Sequence, residues 1–139
     1  MVYDDFAHHP TAIEETLAGV RSAHPSRAIW AIFEPRSATS CRRVFQSDFS
    51  RALSRADRVV LPAVFRSSLP EEQRLSPAAV VRDLSESGVD ARYIPATDDI
   101  VTTLSREAKR GDLVIVMSNG GFDNIHQKIL DALTAREGR

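Results

Sequence analysis

Short apolar runs alternate with longer amphipathic stretches along the whole chain. Residues 28–33 (AIWAIF), 59–64 (VVLPAV) and 113–117 (LVIVM) are continuously apolar, which is typical of strands buried on both faces of a sheet. Residues 2–6 and 91–94 are weaker strand candidates, and the first of these two is short and acidic. The hydrophobic pattern therefore predicts five strands.

Five stretches between and after these runs repeat apolar side chains at helical spacing. Ser76 followed by Pro77 predicts the start of the third helix, and Thr97 is a candidate cap for the fourth. The apolar positions that define the five helices are Ile13, Leu17 and Val20; Phe45, Phe49 and Leu53; Val80, Val81 and Leu84; Ile100, Val101 and Leu104; and Ile125, Ile129 and Leu133. This alternation predicts one α/β domain over residues 1–139, with a mainly parallel sheet and right-handed crossovers.

Composition and charge indicate which classes of binding partner and which cellular compartment to expect. A net charge of -1 with 42% hydrophobic and 27% charged residues is typical of a globular protein and gives no general reason to expect nucleic acid or a membrane as partner. The lone Cys41 and the lack of a signal-type or membrane-spanning apolar stretch favour a cytoplasmic location. One local cluster of arginines is expected to form a solvated face if the region is helical: Arg42, Arg43, Arg51, Arg55 and Arg58.

Polar segments follow each predicted strand. They are residues 4–9 (DDFAHH), 34–37 (EPRS), 65–68 (FRSS), 95–98 (PATD) and 118–121 (SNGG). In open α/β sheets ligands bind beyond the carboxyl ends of the strands, so parallel strands would bring these segments to one edge. The neighbouring stretch 66–75 is polar without periodicity, and we expect it to form a surface loop.

The first of these segments has two alternative interpretations. Asp5, His8 and His9 offer one oxygen and two nitrogen ligands, which makes a zinc or iron site conceivable. Adjacent histidines followed by proline rarely point the same way, however, and no further ligand cluster completes a set. In the second interpretation His9 precedes a helix, Pro10 takes its first position and Glu14 favours the helix dipole. That cap leaves Asp5 and His8 unexplained.

Two later segments offer groups that bind anions. Arg36 presents a planar fork suited to a carboxylate or phosphate, and the alternative is a salt bridge to Glu34 or to a neighbouring loop. The turn at 118–121 places glycines before a helix, where a backbone can approach an anion closely. An ordinary tight turn is its alternative, since neither G-x-G-x-x-G nor G-x-x-x-x-G-K-[ST] occurs. Cys41 has no local signature of a catalytic thiol.

Three segments in this order and spacing resemble the carboxy-terminal domain of the Mur ligase family: DDFAHHPTAI, FEPRSAT and VMSNGGF. The likeness extends from Val2 through the last helix. EPRS and SNGGF are most similar to the branch that joins UDP-N-acetylmuramate to the tripeptide L-alanyl-γ-D-glutamyl-meso-diaminopimelate in peptidoglycan recycling. The first segment also fits the muramate–alanine branch.

The resemblance implies a three-layer Rossmann-like fold, with a mostly parallel sheet of five to six strands and helices on both faces. It implies a bacterial three-domain ligase that activates a carboxylate with ATP and magnesium as an acyl phosphate, which an amine attacks to form an amide. ATP and Mg would be bound mainly by a central domain, and UDP-N-acetylmuramate by the first. Because this chain has no G-K-[ST] phosphate loop, we expect it to be inactive alone and to hold no catalytic residue of its own.

The resemblance also implies roles for individual residues at the positions that match the family's motifs. Asp5 matches the acid that contacts the ATP ribose, and His8 matches the histidine near the nucleotide. The expected muropeptide-binding set comprises His9, Arg36, Ser37, Thr39, Arg66, Ser118, Asn119 and Gly120. The family pattern differs at a few positions, since Ala38 replaces an asparagine, Ser40 a methionine, and Asp123 and Asn124 common glycines.

The sequence is also compatible with two other functions. One is a free-standing, non-catalytic module that binds muropeptide or nucleotide, which is compatible with Ala38 and with the missing phosphate loop. The other is a small metal-dependent hydrolase that uses Asp5, His8 and His9.

Overall fold

In the part of the chain that the structure describes, five strands and five helices alternate as the hydrophobic pattern predicts. The computed structural model of the protein describes residues 2–5, 9–35, 45–63, 70–118 and 122–137. The strands are β1 (Val2–Asp5), β2 (Ile29–Phe33), β3 (Arg58–Leu61), β4 (Asp90–Tyr93) and β5 (Leu113–Met117). The helices are α1 (Pro10–Ala23), α2 (Gln46–Leu53), α3 (Pro77–Glu86), α4 (Thr97–Glu107) and α5 (Ile125–Glu137), and short 3₁₀ turns lie at Glu71–Gln73 and Phe122–Asn124.

The strands form one sheet in the order β1-β5-β2-β3-β4, and all four strand pairs in the described part of the chain are parallel. The register places Asp5 and Phe33 on either side of Met117. The expected mostly parallel sheet is thus confirmed, with five strands in the described residues.

Each face of the sheet is covered by its own layer of helices. Ile29, Ala31 and Phe33 of β2 pack with α1, α2 and α3, whereas Trp30 and Ile32 pack with α4 and α5. The alternation follows from the two-residue repeat of a strand, and burial on both faces explains why β2 and β5 are continuously apolar. The three-layer Rossmann-like architecture is confirmed.

Helix starts follow the local sequence in two of three cases. The Ser76 hydroxyl accepts a hydrogen bond from the Ala79 N–H at 3.2 Å, directly before Pro77, as a capping serine does. His9 caps α1 through Nδ1, which accepts from the Thr11 N–H at 3.3 Å. The prediction that Thr97 caps α4 is wrong, because Ala96 is the extended residue before the helix and Thr97 is already helical.

Three further expectations need correction. Strand β3 ends at Leu61 and not at residue 64, since Pro62 has no N–H to donate to the sheet. The stretch 66–75 is not a surface loop throughout, because Leu75 is 2% exposed and packs in the core. Arg58 does not belong to a solvated helical face, because it begins β3 and its guanidinium lies 4.7 Å from the Trp30 ring centroid.

Within the described residues, no helix combines the length and the apolar character needed to cross a membrane.

Candidate functional site

The carboxyl ends of the strands lie at one edge of the sheet, as the parallel pairing requires. β1, β5 and β2 are neighbours there, so the segments that begin after Asp5, Phe33 and Met117 start side by side. Residue 118 and residue 34 are therefore adjacent in space although they are far apart in sequence.

This edge contains a topological switch point. The helices that follow β1 and β2 pack on one face of the sheet, whereas α5, which follows β5, packs on the other. Chains that leave neighbouring strands toward opposite faces open a crevice between them, and ligands of open α/β sheets bind in such crevices. The fold thus points to the region around the end of β5 as the candidate site.

Glu34 and Ser118 form a buried contact at this crevice. The Ser118 hydroxyl donates to Glu34 Oε1 at 2.8 Å, and the two residues are 4% and 8% exposed. The Glu34 N–H donates to the Met117 carbonyl at 3.0 Å, which continues the strand pairing one step beyond the last residue of β2. The bond is buried and charge-assisted, and such bonds are among the stronger ones in proteins.

His9 lies at the start of α1, beside a cavity of about 230 Å³. Its ring centroid is 6.3 Å from that of Phe45, which stands directly before α2. The cavity is lined by His9, Pro10, Thr11, Glu14, Phe45, Asp48 and Arg51. Glu14 does not stand in the first turn of α1. It forms an ion pair at 2.9 Å with Arg55, which lies in the turn after α2.

The clearest electrostatic perturbations lie away from this edge, around the starts of β3 and β4. Hydrogen bonding to Glu107 raises the pKa of Arg92, and the same contact lowers the pKa of Glu107 below its ordinary value. Arg58 and Asp90 extend this group of charges. It links β3, β4 and α4, so we assign it to stability.

The structure places three of the predicted site residues and leaves the others open. The backbone of Asp5 ends β1, His9 caps α1 and Ser118 follows β5. His8, Arg36, Ser37, Thr39, Arg66, Asn119 and Gly120 lie outside the described residues. Among the residues that the structure describes, no group of three or more metal-ligating side chains occurs. The hydrolase hypothesis stays untested, because it depends on His8.

Sequence reasoning missed one residue of the site. The sequence indicates Glu34 only as an ion-pair partner of Arg36, whereas Glu34 is buried and its carboxylate accepts a hydrogen bond from the Ser118 hydroxyl. The available signal was an acidic residue directly after a fully apolar strand, a position at which burial requires a hydrogen-bond partner.

Taken together, the topology and this edge define a Rossmann-like α/β domain with a candidate ligand site at its switch point. The model of the Mur ligase, glutamate ligase domain matches residues 1–120. The chain therefore belongs to the Mur ligase family, as its carboxy-terminal domain, and the resemblance stated from the sequence is confirmed.

Known relatives give the same assignment. The chain is 40% identical over 140 residues to the UDP-N-acetylmuramate–L-alanyl-gamma-D-glutamyl-meso-2,6-diaminoheptandioate ligase of Escherichia coli (strain K12), which covers 97% of this chain and 28% of that protein. It is 35% identical over 131 residues to the UDP-N-acetylmuramate–L-alanine ligase of Desulfitobacterium hafniense (strain Y51), covering 94% and 29%. The chain thus spans less than a third of the length of these relatives.

A solved structure agrees with the fold. It is a domain from a putative UDP-N-acetylmuramate:L-alanyl-gamma-D-glutamyl-meso-diaminopimelate ligase of Haemophilus ducreyi 35000HP. The TM-score is 0.72 at 33% identity, with 95% of this chain and 89% of that chain covered.

Proposed function

We propose that this chain is the acceptor-side domain of an ATP-dependent ligase that joins UDP-N-acetylmuramate to a peptide in peptidoglycan recycling, in the cytoplasm. The observation that carries the proposal is the 40% identity to the E. coli ligase across 97% of this chain. The adjacency of the strand ends at Asp5, Phe33 and Met117 supports it, since the three segments of the resemblance start from neighbouring strands.

The chemistry proposed for this domain is positioning. A ligase of this kind gains rate by holding the incoming amine beside the activated carboxylate and by excluding water from the reaction. Arg36 would bind a carboxylate of the peptide through its planar fork. Asp5 and His8 would lie toward the nucleotide, where an ionised carboxylate suits the hydroxyls of a ribose.

ATP and Mg²⁺ would be held mainly outside these 139 residues. The chain has no G-K-[ST] sequence, so its own contribution to nucleotide binding is limited to residues such as Asp5 and His8. ATP, when bound, supplies the phosphoryl group that activates the carboxylate. We propose that the phosphate loop and the UDP-sugar site belong to the remaining domains of the ligase, and that the 139-residue chain alone is inactive.

The first experiment establishes the native polypeptide and its reaction. An antibody to this domain, used on extract of source cells, gives the length of the polypeptide that carries it. That polypeptide is then purified and assayed for ATP-dependent ligation of UDP-N-acetylmuramate to the tripeptide and, separately, to L-alanine. Preference for the tripeptide supports the proposal, whereas preference for L-alanine favours the branch of the D. hafniense relative.

Two variants test the division of roles. Asp5→Ala is expected to raise the KM for ATP, and Arg36→Ala is expected to raise the KM for the peptide, each by roughly tenfold or more. Arg110→Ala is the control, because Arg110 is an exposed arginine in the turn before β5, at the opposite edge of the sheet. Small, equal effects of Asp5→Ala and Arg36→Ala on both substrates would contradict these roles.

The alternative is a free-standing module that binds muropeptide or nucleotide without catalysis. A native polypeptide of 15.4 kDa that binds the tripeptide and shows no ligation would establish it.

A further inference from the structure

We infer that His9 serves the peptide side of the site as a hydrogen-bond donor through Nε2, and not as a general base or a metal ligand. This inference rests on the proposed ligase function. His9 stands directly before α1, and its Nδ1 accepts a hydrogen bond from the Thr11 N–H at 3.3 Å. A neutral imidazole carries one proton on its two nitrogens. Because the accepting Nδ1 is unprotonated, that proton is on Nε2.

The start of α1 needs this acceptor. Pro10 takes the first helical position and has no N–H. The Thr11 N–H is therefore the first donor of the helix, and it has no intrahelical partner. Pro10 is buried, and the backbone of His9 is extended, with φ of -103° and ψ of 144°. The other tautomer of His9 would place two N–H groups face to face, so the helix start selects one form of the ring.

A second contact holds the plane of the imidazole. The ring centroids of His9 and Phe45 are 6.3 Å apart, at an interplanar angle of 58°, which is typical of tilted ring pairs. Phe45 is partly buried and packs against the core on the face that α1 and α2 cover. A side chain that is oriented before its ligand arrives loses less conformational freedom on binding.

The ring lines the cavity of about 230 Å³ between the starts of α1 and α2. These helices lead from β1 to β2 and from β2 to β3, so both begin at the carboxyl edge of the sheet, where the switch point lies. Of the acidic side chains in the lining, Glu14 pairs with Arg55 at 2.9 Å and Asp48 with Arg51 at 3.7 Å. An oxygen of the peptide, in a carboxylate or an amide carbonyl, is the acceptor that fits the Nε2–H there.

Capping by itself does not require a histidine. At α3, Ser76 stands before Pro77 in the same arrangement, and its hydroxyl accepts from the Ala79 N–H at 3.2 Å. Serine, aspartate and asparagine are the preferred capping residues. The imidazole at position 9 caps the helix and also supplies a second nitrogen that donates.

The capped tautomer excludes two other roles for the ring. A histidine that binds a metal through Nε2 donates from Nδ1 to a neighbouring acceptor, whereas Nδ1 of His9 faces the N–H of Thr11. A general base needs an unprotonated nitrogen within reach of its substrate, and the unprotonated nitrogen here is occupied by the helix start. Either role would require the cap to break.

Variants of the native polypeptide separate the cap from the donor. His9→Ser keeps a capping hydroxyl and removes the ring. It is expected to raise the KM for the peptide by roughly tenfold, while the KM for ATP stays within about threefold and the Tm within about 4 °C. Ser76→Ala is the control, because it removes a cap from a helix that does not line the cavity. It should lower the Tm and leave both KM values unchanged.

The donor role is wrong if His9→Ser leaves the KM for the peptide unaltered or raises the KM for ATP equally. If His9→Ser does not fold, His9→Thr, which also caps and lacks the ring, decides.

NMR of the ring nitrogens tests the tautomer without a ligation assay. With isotope-labelled histidine in the 139-residue chain, at a pH where the rings are neutral, Nδ1 of His9 should be unprotonated and Nε2 protonated. Loss of the signals in His9→Ser assigns them. The H. ducreyi relative was solved as a domain by itself, which supports the use of this chain, and the labelled native polypeptide replaces it if the chain does not fold. A protonated Nδ1, or binding of equimolar Zn²⁺ at His9, would overturn the inference.

Failure of this inference is distinguishable from failure of the ligase proposal. If ligation occurs and NMR finds the other tautomer, the proposed function stands and the role of His9 is wrong. If the native polypeptide shows no ligation, the proposed function fails. The tripeptide is then added to the labelled polypeptide, where it should shift the Nε2 signal of His9, and an unchanged signal rejects the donor role.

Discussion

Truncation of Phe49 tests how the helix layer is held on the sheet behind the candidate site. Phe49 of α2 stacks on Phe33 of β2 with ring centroids 4.9 Å apart and an interplanar angle of 29°. Each residue is 1% exposed. The apolar crevice around the pair has no room for a water molecule. Phe49→Ala therefore empties a filled site next to the residue that precedes Glu34.

The expected cost follows from three contributions. Burial of a phenylalanine side chain is worth about 1.5–3 kcal/mol, and the stacked pair adds about 0.5–1.5 kcal/mol. A residual cavity brings the total for such a truncation to about 3–5 kcal/mol. That loss is a large share of the roughly 5–15 kcal/mol by which a domain of this kind is stable.

Urea unfolding followed by tryptophan fluorescence measures the effect. Trp30 is the sole tryptophan of these 139 residues and is 1% exposed, so in the 139-residue chain its emission reports on the core without added probes. Tyr93→Ala is the control, because Tyr93 is an aromatic residue on β4 that is 42% exposed, and its loss should cost less than about 1 kcal/mol. A cost below about 1.5 kcal/mol for Phe49→Ala, or one equal to that of Tyr93→Ala, would refute the assignment of α2 packing to this pair.

Two further predictions concern charge and backbone. Contact with Arg92 lowers the pKa of Glu107 in the folded state below its ordinary value of 4.5. The ionised Glu107 therefore stabilises the fold at pH values above 4.5, and this stabilisation is lost as the pH falls through the lowered pKa. In urea titrations, the free energy of unfolding should fall less between pH 7 and pH 3 for Arg92→Gln than for the unaltered protein. Equal losses of stability would contradict the coupling between Arg92 and Glu107. Asn124 has a φ of 56°, so Asn124→Ala should cost about 1 kcal/mol while Asn124→Gly is neutral or slightly stabilising; thermal melts would disprove the reasoning if the order were reversed.

The sequence alone determined which segments form strands and helices. The two-residue and 3.6-residue repeats are local properties, so residues 113–117 are recognisable as a buried strand and Ile13 with Leu17 as one helix face. Capping signals are also local: Ser76 caps α3 before Pro77 as predicted, and His9 caps α1 before Pro10, which agrees with one of its two interpretations. Thr97 shows that such a signal can be displaced by one residue. The family resemblance also rested on short segments that can be recognised without tertiary structure.

Boundaries and burial were predicted less well where distant contacts decide them. Residues 66–75 show no regular spacing of apolar side chains. Leu75 is nevertheless buried, because it packs against the core that α2, α3 and the sheet form. The sequence places Arg58 close to other arginines, but the groups around its side chain are Trp30, Asp90 and Glu107, which come from other strands and a helix.

The tertiary structure alone decided which strand ends meet. Hydrophobic repeats carry no information about strand order, and the position of β5 between β1 and β2 follows from packing across the whole sheet. That position brings Ser118 within hydrogen-bonding distance of Glu34, across 84 residues of chain. The physical reason is that a local pattern specifies which face of an element is apolar, whereas the partner of a buried polar group is specified only when the elements pack.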